Sequence, residues 1–291
     1  MTSVVIAAHN EAAVIGRCLD ALLADAAPGE FDITVVANGC RDETARLAAA
    51  RPGVRVVELT EAGKAGALNA GDASAIGFPR IYLDADIVIT SDGMRAVAAA
   101  LGHNVLAAVP RRQLDLTRRP LLVRAFFAIN ARLPMYRDGL FGRGAIAVSA
   151  EARERFDRFP AMVADDLFLD ALFTAEEKRE VSRVAARVAT PRRTRDLFHR
   201  LVRVRAGNAA MRSAAGAAAP ANVRRARRFA WMRVVAARPW LAPAAVGYLG
   251  LTIAAAFTAR RTSRDAANWR RDDSSRRRAE SGSAPAWESD G

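Results

Sequence analysis

The stretch RIYLDADIVIT, residues 80–90, joins an apolar, strand-like run to two carboxylates, Asp84 and Asp86, that are one residue apart. Side chains along a strand alternate between its faces, so this spacing predicts both aspartates on one face and Ala85 on the other. Two like charges on one face repel each other and resist losing water. A divalent cation, a shared proton or solvent alone would each compensate for that cost, and the tripeptide by itself does not choose between them.

The sequence around this stretch alternates between strands and helices. Segments with helical periodicity or helix start signals separate the apolar runs, which predicts an α/β fold with a mainly parallel sheet between helices. Ligands of such sheets bind beyond the carboxyl ends of the strands, so AHNE (8–11), ANGC (37–40) and DAD (84–86) share one rim. The predicted strands are 3–8, 32–38, 53–59, 80–89 and 105–110.

Beyond residue 110 the pattern is less regular. Residues 120–136 and 163–173 have the composition of helices, and 139–149 are typical of a glycine-rich loop that leads into a strand. A short strand is predicted at 183–193, followed by a very basic helix at 193–208. The two cysteines of the chain indicate neither a disulfide framework nor a metal site. A strand-like start without a basic leader favours a protein that is not secreted.

The C-terminal part of the chain is strongly cationic. The net charge is +13, and residues 181–291 hold 23 arginines against 7 acidic residues. Such an excess predicts an anionic partner. Because few aromatic residues are interleaved with the arginines, an anionic membrane surface is favoured and nucleic acid is not expected.

An uncharged stretch lies within this basic region. Residues 241–259 carry no charge, and their length is close to the ~20 residues that span a bilayer. Arginines flank both ends, so the positive-inside rule gives no orientation. The stretch is predicted to be a membrane-embedded helix, with a surface-lying or ordinary packed helix as the alternatives.

Six blocks of the sequence stand out, in this order: VVIAAHNE (4–11), VVANGCRDETARLA (35–48), GKAGALNAG (63–71), LDAD (83–86), GRGAIAVSAEARERF (142–156) and ADDLFLDALF (164–173). They resemble, in the same order, the motifs of glycosyltransferase family 2. The resemblance covers roughly residues 3–205, and it implies a GT-A fold that transfers a hexose from a nucleotide-diphospho-sugar donor.

The resemblance assigns the paired aspartates to the donor. It implies that Asp86 binds a divalent cation, Mg²⁺ or Mn²⁺, and that Asp84 reaches the nucleotide ribose and the same cation. A cation held there neutralises a departing diphosphate and acts as a Lewis acid. By the same resemblance, Ala8, Glu11 and Asn38 line the base and ribose pocket. Lys64, a point charge suited to phosphate, contacts the nucleotide.

The acceptor side is assigned in the same way. Asp166 matches the catalytic aspartate of the family, the base for the acceptor hydroxyl in a direct, inverting displacement. Asp165 beside it would raise the pKa of that base towards neutral pH. Three arginines are implied as contacts of the diphosphate or acceptor: Arg143, Arg200 and Arg203.

Departures from the family pattern narrow the substrates. Ala37 and Asn38 stand where the second block usually has paired aspartates, which disfavours a UDP-linked donor and leaves GDP or another nucleotide. The tryptophan-containing element of many polymerising members is missing, and RLVRVRAGN (200–208) takes its place. One or a few sugars transferred to a carbohydrate or lipid-linked acceptor, at the cytoplasmic face of a membrane, is therefore expected.

Four segments follow from these observations. They are a catalytic domain (1–205), a basic helical segment (206–240), a membrane-associated helix (241–259) and a disordered basic tail (260–291).

Other interpretations remain for the individual residues. IYLDADIV also resembles the nucleophile motif of haloacid dehalogenase-like phosphatases, and a transferase-like fold without catalysis is a further alternative. Taken singly, Glu11, Asp165 and Asp166 are more typical of acids at helix N-termini. Lys64 on its own is equally typical of a solvated surface lysine, and His199 is a weaker candidate for a metal ligand.

Overall fold

The structure is a computed structural model that describes residues 1–137, 139–161, 165–214 and 229–262. For residues 137, 206–214 and 262 it describes the backbone but not the side chains.

A single seven-stranded sheet forms the centre of the protein. The strands follow the order β3-β2-β1-β4-β6-β5-β7 across it, and β6 alone runs antiparallel to its neighbours. The predicted mainly parallel α/β sheet is thereby confirmed. The strands are β1 Thr2–Ala8, β2 Phe31–Asn38, β3 Val54–Leu59, β4 Arg80–Asp84, β5 Ala107–Asp115, β6 Ala145–Val148 and β7 Lys178–Ala189.

Helices connect the strands and cover both faces of the sheet. A short 3₁₀ turn, Pro239–Leu241, joins the last two helices. The helices are α1 Ile15–Leu23, α2 Thr44–Ala49, α3 Lys64–Ser74, α4 Ser91–Ala98, α5 Leu121–Asn130, α6 Pro134–Arg137, α7 Ala150–Glu154, α8 Asp165–Ala171, α9 Thr194–Ala214, α10 Ala230–Ala237 and α11 Ala242–Thr262.

The alternation of side chains in β1 divides the core into two layers. Val4 and Ile6 pack with α1 and α4 on one face, whereas Val5 packs with Leu68 and Leu169 on the other. All three β1 residues are fully buried, so this strand fixes the register of the sheet centre. The carboxyl ends of β1, β2 and β4 consequently meet at one rim.

Four predicted boundaries are wrong. β5 continues to Asp115 rather than ending at residue 110, because its outer half pairs with β7. β4 ends at Asp84 rather than at residue 89, because the chain turns there and the Ile87 amide donates to the Asp84 carbonyl over 3.1 Å. The helix predicted at 120–136 divides into α5 and α6, since Pro134 disfavours a helical residue before it. The strand predicted at 183–193 is the longer β7, which begins at Lys178.

The uncharged C-terminal stretch is part of α11, which packs along α5 and α9. Tyr248 stacks on Phe126 with ring centroids 5.3 Å apart, and Leu251 is buried in the same cluster. Gly247 allows the close approach, because a β-carbon there would lie 2.8 Å from Leu122 Cδ1. Among the described helices, one is long and apolar enough to cross a membrane, the segment of residues 239–261. Only 11% of its most apolar part is buried within the protein.

The predicted segment boundaries fall across continuous elements. α9 runs through the boundary set at 205, so the first part of the 206–240 segment extends a helix of the preceding segment. Residues 215–228 of that segment lie outside the described residues. Of the tail predicted at 260–291, residues 263–291 also lie outside them.

Candidate functional site

Asn38 organises the rim at the ends of β1 and β2. Its side-chain amide donates to the Ala8 carbonyl over 2.7 Å, and its Oδ1 accepts from the Gly63 amide over 3.0 Å. The side chain is therefore buried in a bridge between β1 and the turn before α3. Because Lys64 follows Gly63, this bridge also fixes the position of the lysine.

The turns that follow β1 and β2 hold each other in place. Glu11 is buried, and its backbone amide donates to Thr44 Oγ1 over 2.7 Å. Gly39 has a φ of +57°, and a β-carbon there would lie 2.8 Å from the Ala62 nitrogen. Only glycine tolerates both this positive φ and the close approach of Ala62. The Asn38-Gly39 pair is therefore a structural requirement of the rim.

Lys64 connects an acid at the end of β4 to an acid at the start of α8. Its Nζ lies 2.7 Å from Asp84 Oδ1 and 3.0 Å from Asp165 Oδ2, although these acids are far apart in the sequence. Burial alone would lower the pKa of Lys64, but Asp165 and Asp84 raise it well above its usual value. The lysine therefore stays protonated and neutralises part of a compact acidic group.

Asp165 has a pKa well above that of an ordinary aspartate. Burial raises its pKa, Lys64 opposes the increase, and the neighbouring Asp166 and Asp84 add to it, with a result of about 6. A carboxyl with such a pKa exchanges its proton near neutral pH, which is a property of groups that transfer protons.

Asp166 faces the loop before β6. Its Oδ2 accepts from the Gly142 amide over 2.9 Å, and its Oδ1 accepts from the Leu167 amide over 2.8 Å. Four residues further along α8, Asp170 Oδ1 accepts from the Leu140 amide over 2.9 Å. Two aspartates one helical turn apart thus hold the 140–142 loop against α8.

The paired aspartates lie at the end of β4, next to that loop. Ala85 is buried, whereas Asp84 and Asp86 are half-exposed, so the predicted alternation of burial persists although the strand has ended. Burial, together with the negative charges of Asp86 and Asp84, raises the pKa of the Cys18 thiol to about 12. Both carboxylates therefore lie within electrostatic reach of one thiol beneath the rim.

The carboxylates at this rim suit a hard divalent cation only in part. Among the described residues, no group of three or more His, Cys, Asp or Glu is arranged to hold a metal. His199 is exposed on α9 and is not grouped with the aspartates. Two carboxylates completed by phosphate oxygens and water form a ligand set that Mg²⁺ accepts, so the residues fit a cation that arrives with a diphosphate.

Arg143 has an environment that differs from the predicted one. Its side chain is 2% exposed, pairs with Glu180, and donates to the carbonyls of Pro110 and Tyr136. These contacts tie the glycine-rich loop to β5 and β7, which favours a structural role. Arg200 and Arg203 lie on α9, and Arg200 is close enough to Arg112 to lower the pKa of that guanidinium.

Sequence reasoning missed two residues that shape the site. Lys178 Nζ donates to Asp170 Oδ1 over 2.8 Å, and both side chains are almost fully buried. This pair anchors α8 to the start of β7 and thereby positions Asp165 and Asp166. The one available signal was the scarcity of lysine, because Lys178 is the chain's only lysine besides Lys64.

Comparisons with known proteins agree with this architecture. Residues 3–147 match the sequence model of glycosyl transferase family 2, and no curated protein matches the chain. The fold is similar to a mannosyltransferase from Pyrobaculum calidifontis, solved with GDP-Man and Mn²⁺ (TM-score 0.62, 21% identity, 90% of this chain and 86% of that one covered).

Two further structures share the fold. TarS 1–349 from S. aureus, solved with UDP, has a TM-score of 0.50 at 17% identity, with 92% of this chain and 93% of that one covered. Glucosyl-3-phosphoglycerate synthase from Mycobacterium tuberculosis, solved with Mn²⁺, UDP and phosphoglyceric acid, has a TM-score of 0.52 at 20% identity, with 74% and 78% covered. Because the family model matches about half of the chain, this chain belongs to glycosyl transferase family 2.

Proposed function

We propose that the protein transfers a hexose from a nucleotide-diphospho-sugar to an acceptor hydroxyl, with inversion at the anomeric carbon. The observation that carries the proposal is the double ion pair of Lys64. It joins Asp84, at the end of a central strand, to Asp165, beside the candidate base. Donor and acceptor chemistry would therefore take place in one compact site.

On the donor side, Asp84 and Asp86 would hold a Mg²⁺ or Mn²⁺ ion. When bound, that ion supplies charge neutralisation and Lewis acidity to the departing diphosphate. Lys64 supplies a further positive charge next to the same position. Two of the similar structures were solved with Mn²⁺, which supports the choice of cation.

The base and ribose of the donor would lie against the ends of β1 and β2. Ala8 and Asn38 form the floor there, and Glu11 is the acidic side chain at the edge. A guanine nucleotide is favoured because Asn38 replaces the expected aspartate, and the P. calidifontis enzyme was solved with GDP-Man.

On the acceptor side, Asp166 would act as general base. Its carboxylate would take the proton of the acceptor hydroxyl while that oxygen attacks the anomeric carbon. The bond between that carbon and the diphosphate oxygen breaks, and the nucleoside diphosphate leaves with the electron pair. The Gly142 amide orients Asp166, and Asp165, with its raised pKa, is a neighbour able to share the proton.

The proposed location is the cytoplasmic face of a membrane. α11 supports this because its outer side chains are apolar, with Val246 72% exposed and Phe257 61% exposed. Arg260 and Arg261 follow in its last turn and are suited to anionic headgroups. Since the other side of α11 packs on α5, we propose a peripheral attachment in which α11 lies along the surface.

A thermal-shift panel tests the donor half of the proposal. We expect GDP-linked sugars to raise the melting temperature in the presence of Mn²⁺, by more than UDP-linked sugars do, and to have little effect without the cation. Asp86→Ala should abolish this increase. Asp92→Ala, which removes an exposed acid of α4 that pairs with Arg95 and not with Lys64, is the matched control and should retain it. Indifference of the wild-type protein to every nucleotide sugar with Mn²⁺ would contradict the proposal.

A further inference from the structure

Arg112 is a cation that the donor chemistry does not use. It lies on the part of β5 that extends beyond the short β6, and its guanidinium stacks on the Tyr136 ring, 4.2 Å from the centroid. Its Nη2 is fully buried and has no hydrogen-bond partner among the residues that the structure describes. Within the same described ranges, no acid forms an ion pair with Arg112.

A partly buried guanidinium without an acidic partner is costly, and the two nearby arginines increase the cost. Burial lowers the pKa of Arg112, Tyr136 opposes this shift, and the charges of Arg143 and Arg200 lower the pKa further. Arg143 is compensated by Glu180, whereas Arg200 lacks an acidic partner among the described residues. Two basic side chains therefore converge where an anion would be stabilising.

This cationic position adjoins the candidate base. A β-carbon on Gly142 would lie 3.4 Å from Arg112 Nη1, so the guanidinium lies directly against the loop. The amide of the same glycine donates to Asp166. One residue of the loop thus separates Arg112 from the carboxylate that we assign to the acceptor.

Arg112 also lines a groove of about 740 Å³ between β5, α5 and the start of α11. The groove is mostly apolar, with Leu114, Phe127 and Ala128 among its lining residues and Arg124 on its α5 side. At one end it reaches Leu121, which is 79% exposed. Its volume is typical of sites for small organic ligands.

We infer that the groove binds the acceptor, and that the acceptor is an amphiphile with a phosphate near the reacting hydroxyl. The phosphate would accept hydrogen bonds from the planar guanidinium of Arg112, with Arg200 adding charge. The apolar tail would follow α5 towards Leu121 and the exposed apolar side of α11. This inference rests on the proposed function, because it specifies the acceptor of that reaction.

Calorimetric titration of the full chain with dodecyl phosphate, below its critical micelle concentration, tests the inference. A lost charge-assisted hydrogen bond is worth roughly 1.5–3 kcal/mol, so Arg112→Gln should weaken binding by about 10- to 100-fold. Arg183→Gln removes an exposed arginine from the neighbouring β7 and should change binding by less than about twofold. Equal binding by wild type and Arg112→Gln, or equal losses in both variants, would overturn the inference.

Two further ligands separate the sources of the anion. Glycerol 3-phosphate has the phosphate without the tail, and dodecyl maltoside has the tail without the charge, so both should bind at least about 10-fold more weakly than dodecyl phosphate. Glycerol 3-phosphate binding as tightly as dodecyl phosphate would refute the amphiphile and indicate a soluble acceptor.

A second variant guards against misfolding of Arg112→Gln. Ala128→Phe narrows the groove while keeping the guanidinium, so it should weaken dodecyl phosphate and spare glycerol 3-phosphate. Unchanged affinity for dodecyl phosphate in this variant contradicts the placement of the tail. The nucleotide-sugar thermal shift of the wild type is measured in parallel. If it is present while the phosphate results fail, this inference alone is wrong; if it is missing, the proposed function is.

Discussion

The buried carboxyl of Asp165 should make the stability of the protein depend on pH, and Asp165→Asn should remove that dependence. The side chain is 14% exposed, and burial raises its pKa from 3.8 to about 6 despite the opposing charge of Lys64. In an unfolded chain the same carboxyl titrates near its ordinary value. The folded protein therefore binds a proton between about pH 6 and pH 4 that the unfolded chain does not bind.

The sign and size of the effect follow from this difference. Because the folded pKa is the higher one, the stabilising contribution is complete below about pH 4 and is lost as the pH rises through about 6. The interval from 3.8 to about 6 corresponds to roughly 3 kcal/mol of free energy of unfolding. Asparagine does not titrate, so this increment should be missing from the variant.

Urea unfolding followed by circular dichroism at about pH 4, 5, 6 and 7 measures the increment. The free energy of unfolding of the wild type minus that of Asp165→Asn should be greater at about pH 4 than at about pH 7 by roughly 2–3 kcal/mol. Asp92→Asn, at an exposed acid of α4, serves as the control for general charge effects. Lys64→Met removes the charge that lowers the pKa of Asp165. In this variant, the pH-dependent change in the free energy of unfolding should therefore occur at higher pH. If the free energy of unfolding of the wild type minus that of Asp165→Asn were the same from about pH 4 to about pH 7, burial would not raise the pKa of Asp165.

Three further substitutions test the surrounding structure. Gly144→Ala should reduce the free energy of unfolding by about 2–5 kcal/mol in urea titrations, because φ is +72° and a β-carbon would lie 2.2 Å from Ile87 Cγ1; Gly29→Ala, with φ of +73° and open space around it, should lose only the backbone part, about 1–2 kcal/mol. Asp72→Asn leaves two arginines without their shared buried partner, so a loss of roughly 3–5 kcal/mol is expected, and a loss below about 1 kcal/mol would contradict it. Ile253→Asp, on the exposed side of α11, should reduce co-sedimentation with anionic lipid vesicles at unchanged melting temperature, and full retention on the vesicles would argue against α11 as the attachment.

The donor side of the site could be predicted largely from the sequence because it is built from local units. Each of its strands ends in a short turn that carries the relevant side chain, so a parallel sheet brings Ala8, Asn38 and Asp84 to one rim without further information. The proximity of Lys64 to Asp84 follows for the same reason, since α3 begins beside β2 and precedes β4 in the chain.

The contacts around Asp165 and Asp166 could not be predicted because they join residues that are distant in sequence, although the family resemblance pointed to the two aspartates themselves. Arg143 forms its ion pair with Glu180, and Asp170 forms its ion pair with Lys178. Lys178 and Glu180 belong to β7, which was predicted to start later in the chain. The end of β4 likewise depends on the carbonyl of Gly144, which accepts from the Asp84 amide over 2.7 Å. The stretch VPRRQLD (109–115) does not distinguish Arg112 from the other arginines of this basic chain. Its contact with the Tyr136 ring, 4.2 Å from the centroid, depends on a residue outside that stretch.

The place of β6 beside β4, although it comes after β5 in the chain, has a consequence for how the protein is made. β4 acquires its second neighbour only after residues Ala145–Val148 have left the ribosome, long after β1, β2 and β3 are available. A nascent chain would therefore complete the donor half first and would carry an unpaired edge on its central strand in the meantime. Such an edge invites pairing with another copy, so we expect the window between those two stages to be the step most open to aggregation.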